Sequence, residues 1–192
     1  MVIEDACGSR RALLGGVGVT VAGGAVVLLT GCGGSSPAPA AVKTVPVRVR
    51  QIDVGIFNRS LHLERRSIAA YTAGIPLLTG SVAKAAEQFL SQELAHAGEL
   101  LGLIHAAGGT PIPRAPSYEL GHPRTAAQVL SLLEQLENQQ LAAYLDAIPR
   151  LSPGPVRASV ASILANDAQH VSILRMALGS SPASAAFVTG RN

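Results

Sequence analysis

Residues 82–103, VAKAAEQFLSQELAHAGELLGL, place Val82, Ala86, Phe89, Leu100 and Leu103 at spacings of three and four. That is the period of an amphipathic helix, and the same stripe runs through Glu93 and His96. The i, i+3 spacing of Glu93-x-x-His96 sets both side chains on one face, one turn apart. A carboxylate in a core without a partner is costly and tends to be neutralised by a pKa shift. The polar interruption of this stripe therefore predicts partners on neighbouring helices.

Three further segments carry the same pattern. The first runs from Asp53 with Phe57, Leu61, Ile68, Tyr71 and Ile75, passes through Glu64, and ends at Gly74-Ile75-Pro76. The third starts near Thr125 with Leu130, Leu133, Leu141, Tyr144 and Ile148, passes through Glu137, and ends at Pro149. The fourth starts near Pro155 with Val156, Val160, Ile163, Leu174 and Ala177, passes through Asp167 and His170, and stops at Gly179. The second begins at about Ser81, read as its N-cap, and stops at Gly108-Gly109. Between Gly108 and Arg124 lie Pro111, Pro113, Pro116 and Pro123, which exclude helix. Short links join the first to the second and the third to the fourth, while the long link spans the bundle. The expected fold is all-α, a ferritin-like antiparallel four-helix bundle with one long crossover between helices 2 and 3.

Glu64, Glu93, His96, Glu137, Asp167 and His170 thus point inward near mid-helix. Four inward carboxylates would repel unless cations lie between them, and two divalent ions balance their charge while each His adds a neutral nitrogen. One carboxylate from each of two helices and a carboxylate-x-x-His pair from each of the other two is the ligand set of the di-iron and di-manganese bundles. Arg65, Arg66, Glu87, Glu99 and Glu134 read as solvated-face residues, and His62, His105 and His122 as surface or capping residues. One such carboxylate-x-x-His match alone would be weak; two, centred in alternate helices, form a specific pattern.

The chain also repeats itself. Leu63 to Pro76 aligns with Leu136 to Pro149 at an offset of 73, with Leu, Glu, Ala-Ala-Tyr and Ile-Pro coinciding. Glu93 and His96 align with Asp167 and His170 at an offset of 74. Two copied hairpins related by a pseudo-twofold axis would place the site on that axis. Tyr71 and Tyr144 each lie seven residues after a Glu, two turns along the same face. Two roles stay open for them: a hydroxyl in the metal's surroundings, or core packing with the hydroxyl bonded to a carboxylate.

The N-terminal end reads differently. Arg10-Arg11 precedes Ala12 to Leu29, eighteen residues without a charge, and resembles a twin-arginine export signal. Leu29-Thr30-Gly31-Cys32, followed by a Gly, Ser, Pro and Ala stretch, resembles a bacterial lipoprotein cleavage box, with Cys32 lipidated. A spanning anchor is the alternative, although it has no need of Leu-Thr-Gly-Cys at its outer end. The organisation expected is a signal peptide over 1–31, a lipidated tether over 32–52, the bundle over 53–180 and a tail over 181–192. Removal of Cys7 and acylation of Cys32 leave His and carboxylates as the metal-binding side chains. A net charge of +3 over 192 residues, with scattered Lys and Arg, predicts no nucleic-acid surface.

With these motifs in place, the sequence resembles the ferritin-like superfamily, in particular exported ferritin-like domain proteins related to rubrerythrin and ferritin. The resemblance covers Asp53 to about Val188, with Asp53-Val54-Gly55-Ile56-Phe57-Asn58 at the entry and Ala185-Ala186-Phe187 at the end. It implies metal ligands at Glu64, Glu93, His96, Glu137, Asp167 and His170, iron or manganese as the metal, and a homodimer by analogy. It departs from the family at Asp167, where Glu is usual, so that carboxylate is expected to bind one ion or to make the site asymmetric. No Cys-x-x-Cys follows the bundle, so a rubredoxin module is not in evidence. The leading expectation is a membrane-anchored, exported di-metal protein performing redox chemistry on oxygen or peroxide. The rivals are a non-catalytic metal-binding or stress-related lipoprotein, and a metal-free bundle whose six residues form a hydrogen-bonded core.

Overall fold

The computed structural model of the chain describes residues 51–191. Arg10, Arg11, Cys32 and the assigned signal lie outside the described residues, as does the tether except for its last two residues. Those two, Gln51 and Ile52, are helical, because the first helix begins ahead of Asp53.

Four helices account for the bundle: α1 (Gln51–Gly74), α2 (Gly80–Ala106), α3 (Ala126–Ala147) and α4 (Pro155–Ala177). Two 3-10 turns, Ile75–Leu77 and Ile148–Arg150, close the hairpins where proline prevents the helix from continuing. At the start of α3 the Thr125 hydroxyl accepts a bond from the Gln128 amide at 3.3 Å. The start of α2 differs from the sequence expectation: Thr79 holds the cap position, without a side-chain cap bond, and Ser81 lies inside the helix. Ala177, expected on the α4 stripe, is exposed because the helix ends there.

The closest packing is α1 on α2, α3 on α4, and α1 on α3; α2 and α4 meet less extensively. The crossover lies against α1. Asn58 donates to the Thr110 carbonyl (3.1 Å) and accepts from the Ile112 amide (2.7 Å), while Arg65 donates to the Ile112 carbonyl (2.7 Å). Arg66 reaches Gln139 and the Glu119 carbonyl. Arg65 and Arg66 are therefore half-buried fasteners of the crossover rather than solvated residues. Glu134, also half-buried, pairs with Arg175 at 2.9 Å. His62, His105, His122, Glu87 and Glu99 are exposed, as expected.

The apolar core divides in two. One cluster gathers Phe57, Leu61, Leu100, Ile104, Tyr144, Val156, Val160 and Ile163. The other gathers Tyr71, Phe89, Val129, Leu130, Leu133 and Leu174. Each fully buried aliphatic or aromatic side chain contributes about 1.5–3 kcal/mol, so these clusters carry the stability. Between them, on every helix, lies the polar layer of Glu64, Glu93, His96, Glu137, Asp167 and His170. Among the described residues no helix is long and apolar enough to cross a membrane.

Gly74 is needed where α1 approaches α3, since a Cβ there would come within 2.6 Å of a Val129 methyl. Val129 is fully buried and, being β-branched, has little rotamer freedom with which to yield. Gly74→Ala is expected to lower stability by about 1–3 kcal/mol through overpacking, against a helix-propensity gain of under about 1 kcal/mol. Denaturant midpoints of the two proteins would show it; an unchanged or higher midpoint would mean that the helices part at no cost.

Candidate metal centre

All six residues expected to point inward do so, and they converge. Glu64, Glu93, Glu137 and Asp167 are fully buried, His170 nearly so, and His96 is the least covered at 8% exposure. The helical stripe places each one, and burial follows because every stripe faces the common axis. Two overlapping groups result. Glu93, Glu137, Asp167 and His170 bring one ligand-type atom each within 4.8 Å of the others, and so do Glu64, His96 and Asp167. Asp167 belongs to both groups, so its shorter side chain still reaches both halves of the site.

The atoms face a shared space rather than one another. His96 Nδ1 lies 3.3 Å from Asp167, 3.6 Å from Glu93 and 3.7 Å from Glu64, yet makes no hydrogen bond to any of them. Glu64 Oε2, Glu93 Oε1, Glu137 Oε2 and both Asp167 oxygens are likewise buried without a hydrogen-bond partner among the described residues. An orphaned buried polar atom costs about 1–3 kcal/mol, more when charged. So many in one layer, all oxygen or imidazole nitrogen, suit a divalent cation and argue against a self-satisfied network.

The other lone pairs are secured. Tyr71 donates to Glu137 Oε1 at 2.6 Å, and Tyr144 donates to Glu64 Oε1. Each tyrosine therefore serves the glutamate of the opposite hairpin, which joins the two roles left open by the sequence: core packing and support of the site carboxylates. His170 Nε2 bonds Gln92 Oε1 at 2.7 Å, which leaves Nδ1 facing Glu137 (3.3 Å) and Glu93 (3.4 Å). The Phe89 ring stacks on His170 with centroids 4.1 Å apart and fixes the ring plane. Ser67 donates to Gln140 Oε1 (2.7 Å), and Gln140 donates to Glu93 Oε2 (2.9 Å). Sequence reading missed Ser67, Gln140 and Gln92. Ser67 and Gln140 each lie three residues beyond a site glutamate, so extending the stripe by one turn would have found them; Gln92 carries no such signal.

Burial, then repulsion from Glu93, pushes Glu64 up to about 8 and Glu137 up to about 7. Asp167 is raised well above its usual value by burial and by Glu137, Glu64 and Glu93. Glu93 moves the opposite way: burial pushes it up, but bonds from His170, His96, Glu64 and Gln140 outweigh that and bring it to about 2. For the histidines burial acts downward and is overcome by facing carboxylates, Glu64 and Glu93 for His96 (about 10), Glu137 and Glu93 for His170 (about 9). Burial and the adjoining glutamates raise both tyrosines, so their hydroxyls remain donors. Without metal, protons do the neutralising.

A four-helix bundle whose buried mid-layer is built of carboxylates and histidines defines the ferritin-like class. The ferritin-like domain family model matches residues 52–180, and the chain belongs to that family. Among solved structures it is similar to a conserved hypothetical protein, rv2844, from Mycobacterium tuberculosis, with a TM-score of 0.63 and 22% identity over 69% of this chain and 94% of that one. It is also similar to a ferritin-like, diiron-carboxylate protein from Bacillus anthracis, with a TM-score of 0.59 and 20% identity over 65% of this chain and 94% of that one. At those identities the likeness is one of fold. A search of curated proteins by sequence found no match.

Proposed function

We propose that this chain is an exported, lipid-anchored ferritin-like protein that binds two divalent ions, iron or manganese, and uses them in redox chemistry on oxygen or peroxide. The observation that carries the metal reading is the set of buried carboxylate and imidazole atoms that lack hydrogen bonds and face one space. In this reading Glu137 and His170 hold one ion, Glu64 and His96 the other, and Glu93 and Asp167 lie between them. The placing of Asp167 in both groups supports two ions over one. The ions would supply the electrons exchanged with a small oxidant. The protein's part is to orient the ligands, through Tyr71, Tyr144, Gln92 and Gln140, and to exclude bulk water everywhere except near His96. The diiron-carboxylate description of the Bacillus anthracis structure favours iron.

The export and anchoring proposals rest on Arg10, Arg11 and Cys32 in their sequence setting; Cys32→Ser should release the mature protein from the membrane fraction.

Metal analysis of the purified protein tests the central proposal. About two ions per chain are expected, with loss of at least one in Glu137→Ala, and the loaded protein should consume peroxide. Two ions without turnover would favour the non-catalytic metal-binding role. No metal in a folded protein supplied with iron and manganese would refute the proposal.

A further inference from the structure

The two hairpins are near-copies, and the copied positions face each other across the axis. Ser67 and Gln140, separated by the repeat offset of 73, are directly hydrogen-bonded at 2.7 Å and both are fully buried. At this pair the symmetry fails. Gln140 is long enough to reach Glu93, and its amide holds Glu93 Oε2 at 2.9 Å, leaving only Oε1 without a partner. Asp167, the counterpart of Glu93, has no matching anchor: Ser67 is short, its hydroxyl is turned to Gln140, and both Asp167 oxygens lack partners. The histidines differ in the same sense. His170 is held from behind by Gln92 and stacked on Phe89, and is 1% exposed against 8% for His96. Four residues converge on the His170 side and three on the His96 side.

We infer that the Ser67–Gln140 pair makes the two metal positions unequal, so that the position beside His170 fills first and tightly while the position beside His96 fills second and exchanges. The inference rests on the dinuclear reading above. Its physical basis is preorganisation: a carboxylate already oriented by a neutral donor loses less freedom on binding an ion, and partners behind the ligands commonly change metal affinity by about 10–100-fold. Gln140 is thus a positioning residue, acting through Glu93, and Ser67 in turn fixes the Gln140 amide.

The test is titration of the metal-free full chain with Co2+, followed by heat release and visible absorption. The wild type should take up two ions in resolved steps. Gln140→Met keeps the side-chain volume and removes the donor; it should weaken the first step by about 10–100-fold, leave the second near its wild-type value, and alter the absorption spectrum of the first equivalent. Ser67→Ala should shift the first step in the same direction by less, and it serves alone if Gln140→Met does not fold. A merely structural role would weaken both steps together and leave the first-equivalent spectrum unchanged. Two ions bound in a single unresolved step by the wild type, or a first step unaffected by both variants, would overturn the inference while leaving the dinuclear reading intact. No uptake by the wild type would remove both.

Discussion

Metal-free protein should lose stability as pH rises from about 5 to about 9, and a saturating divalent metal should reverse the slope. In the folded metal-free state Glu64 and Glu137 keep protons up to about 8 and about 7, whereas an ordinary glutamate releases its proton near 4.5. His96 and His170 keep theirs to about 10 and about 9, against an ordinary 6.5. The folded state therefore binds more protons than the unfolded chain across this window, and stability falls as pH rises, first through the carboxyls and then through the histidines. Each retained proton contributes about 1.4 kcal/mol per pH unit. Glu93, lowered to about 2, has the opposite sign but acts only below its ordinary value of 4.5. Metal requires the same groups deprotonated, so protons compete with it and its stabilisation grows with pH. Urea midpoints at about pH 5.5, 7 and 8.5, with chelator and with Mn2+, measure both slopes. A metal-free midpoint that rises over this range would show that the six groups are not buried together as described.

Asp167→Asn should make the metal-free protein more stable and cost it both ions. The two Asp167 oxygens are fully buried and without hydrogen bonds, and burial and three neighbouring carboxyls oppose ionisation. An amide of the same shape carries no charge and can donate to those neighbours, which should stabilise the metal-free fold by about 1–3 kcal/mol. Because Asp167 is the residue common to both groups, its loss should reduce metal content further than Glu64→Gln, which touches only the His96 side. Thermal unfolding with chelator and metal content per chain are the two readouts. A variant less stable without metal, or one that keeps two ions, would contradict the assignment. A residue retained against stability is the expected mark of a site kept for binding.

The polar layer also explains the division of the core. Phe57, Leu61, Leu100 and Ile104 on one side, and Phe89, Val129 and Leu133 on the other, supply the apolar burial that allows a layer of partnerless carboxylates to persist between them. Each cluster includes one tyrosine whose hydroxyl reaches into that layer, so packing and site geometry are coupled. A cavity made at either tyrosine would disturb both.

What the amino-acid order determined alone is whatever depends on local periodicity. The four helices ended close to where proline and glycine indicated, and Glu64, Glu93, His96, Glu137, Asp167 and His170 were found on the inner stripes because a 3.6-residue period decides which side chains share a face. Even the Ser81 error was of this kind, a matter of two residues at a helix start. Tertiary structure alone decided which inward groups meet. Tyr71 bonds a glutamate 66 residues away and Tyr144 one 80 residues away, each in the other hairpin; Arg66 and Ser67 find partners 73 residues on. Such pairings depend on the rotation of each helix about its axis and on side-chain reach across the interface, quantities set by ridge-and-groove packing between helices and not by any one helix. The same packing let the shorter Asp167 serve both halves of the site, and it placed Gln140, but not Ser67, within reach of a shared carboxylate.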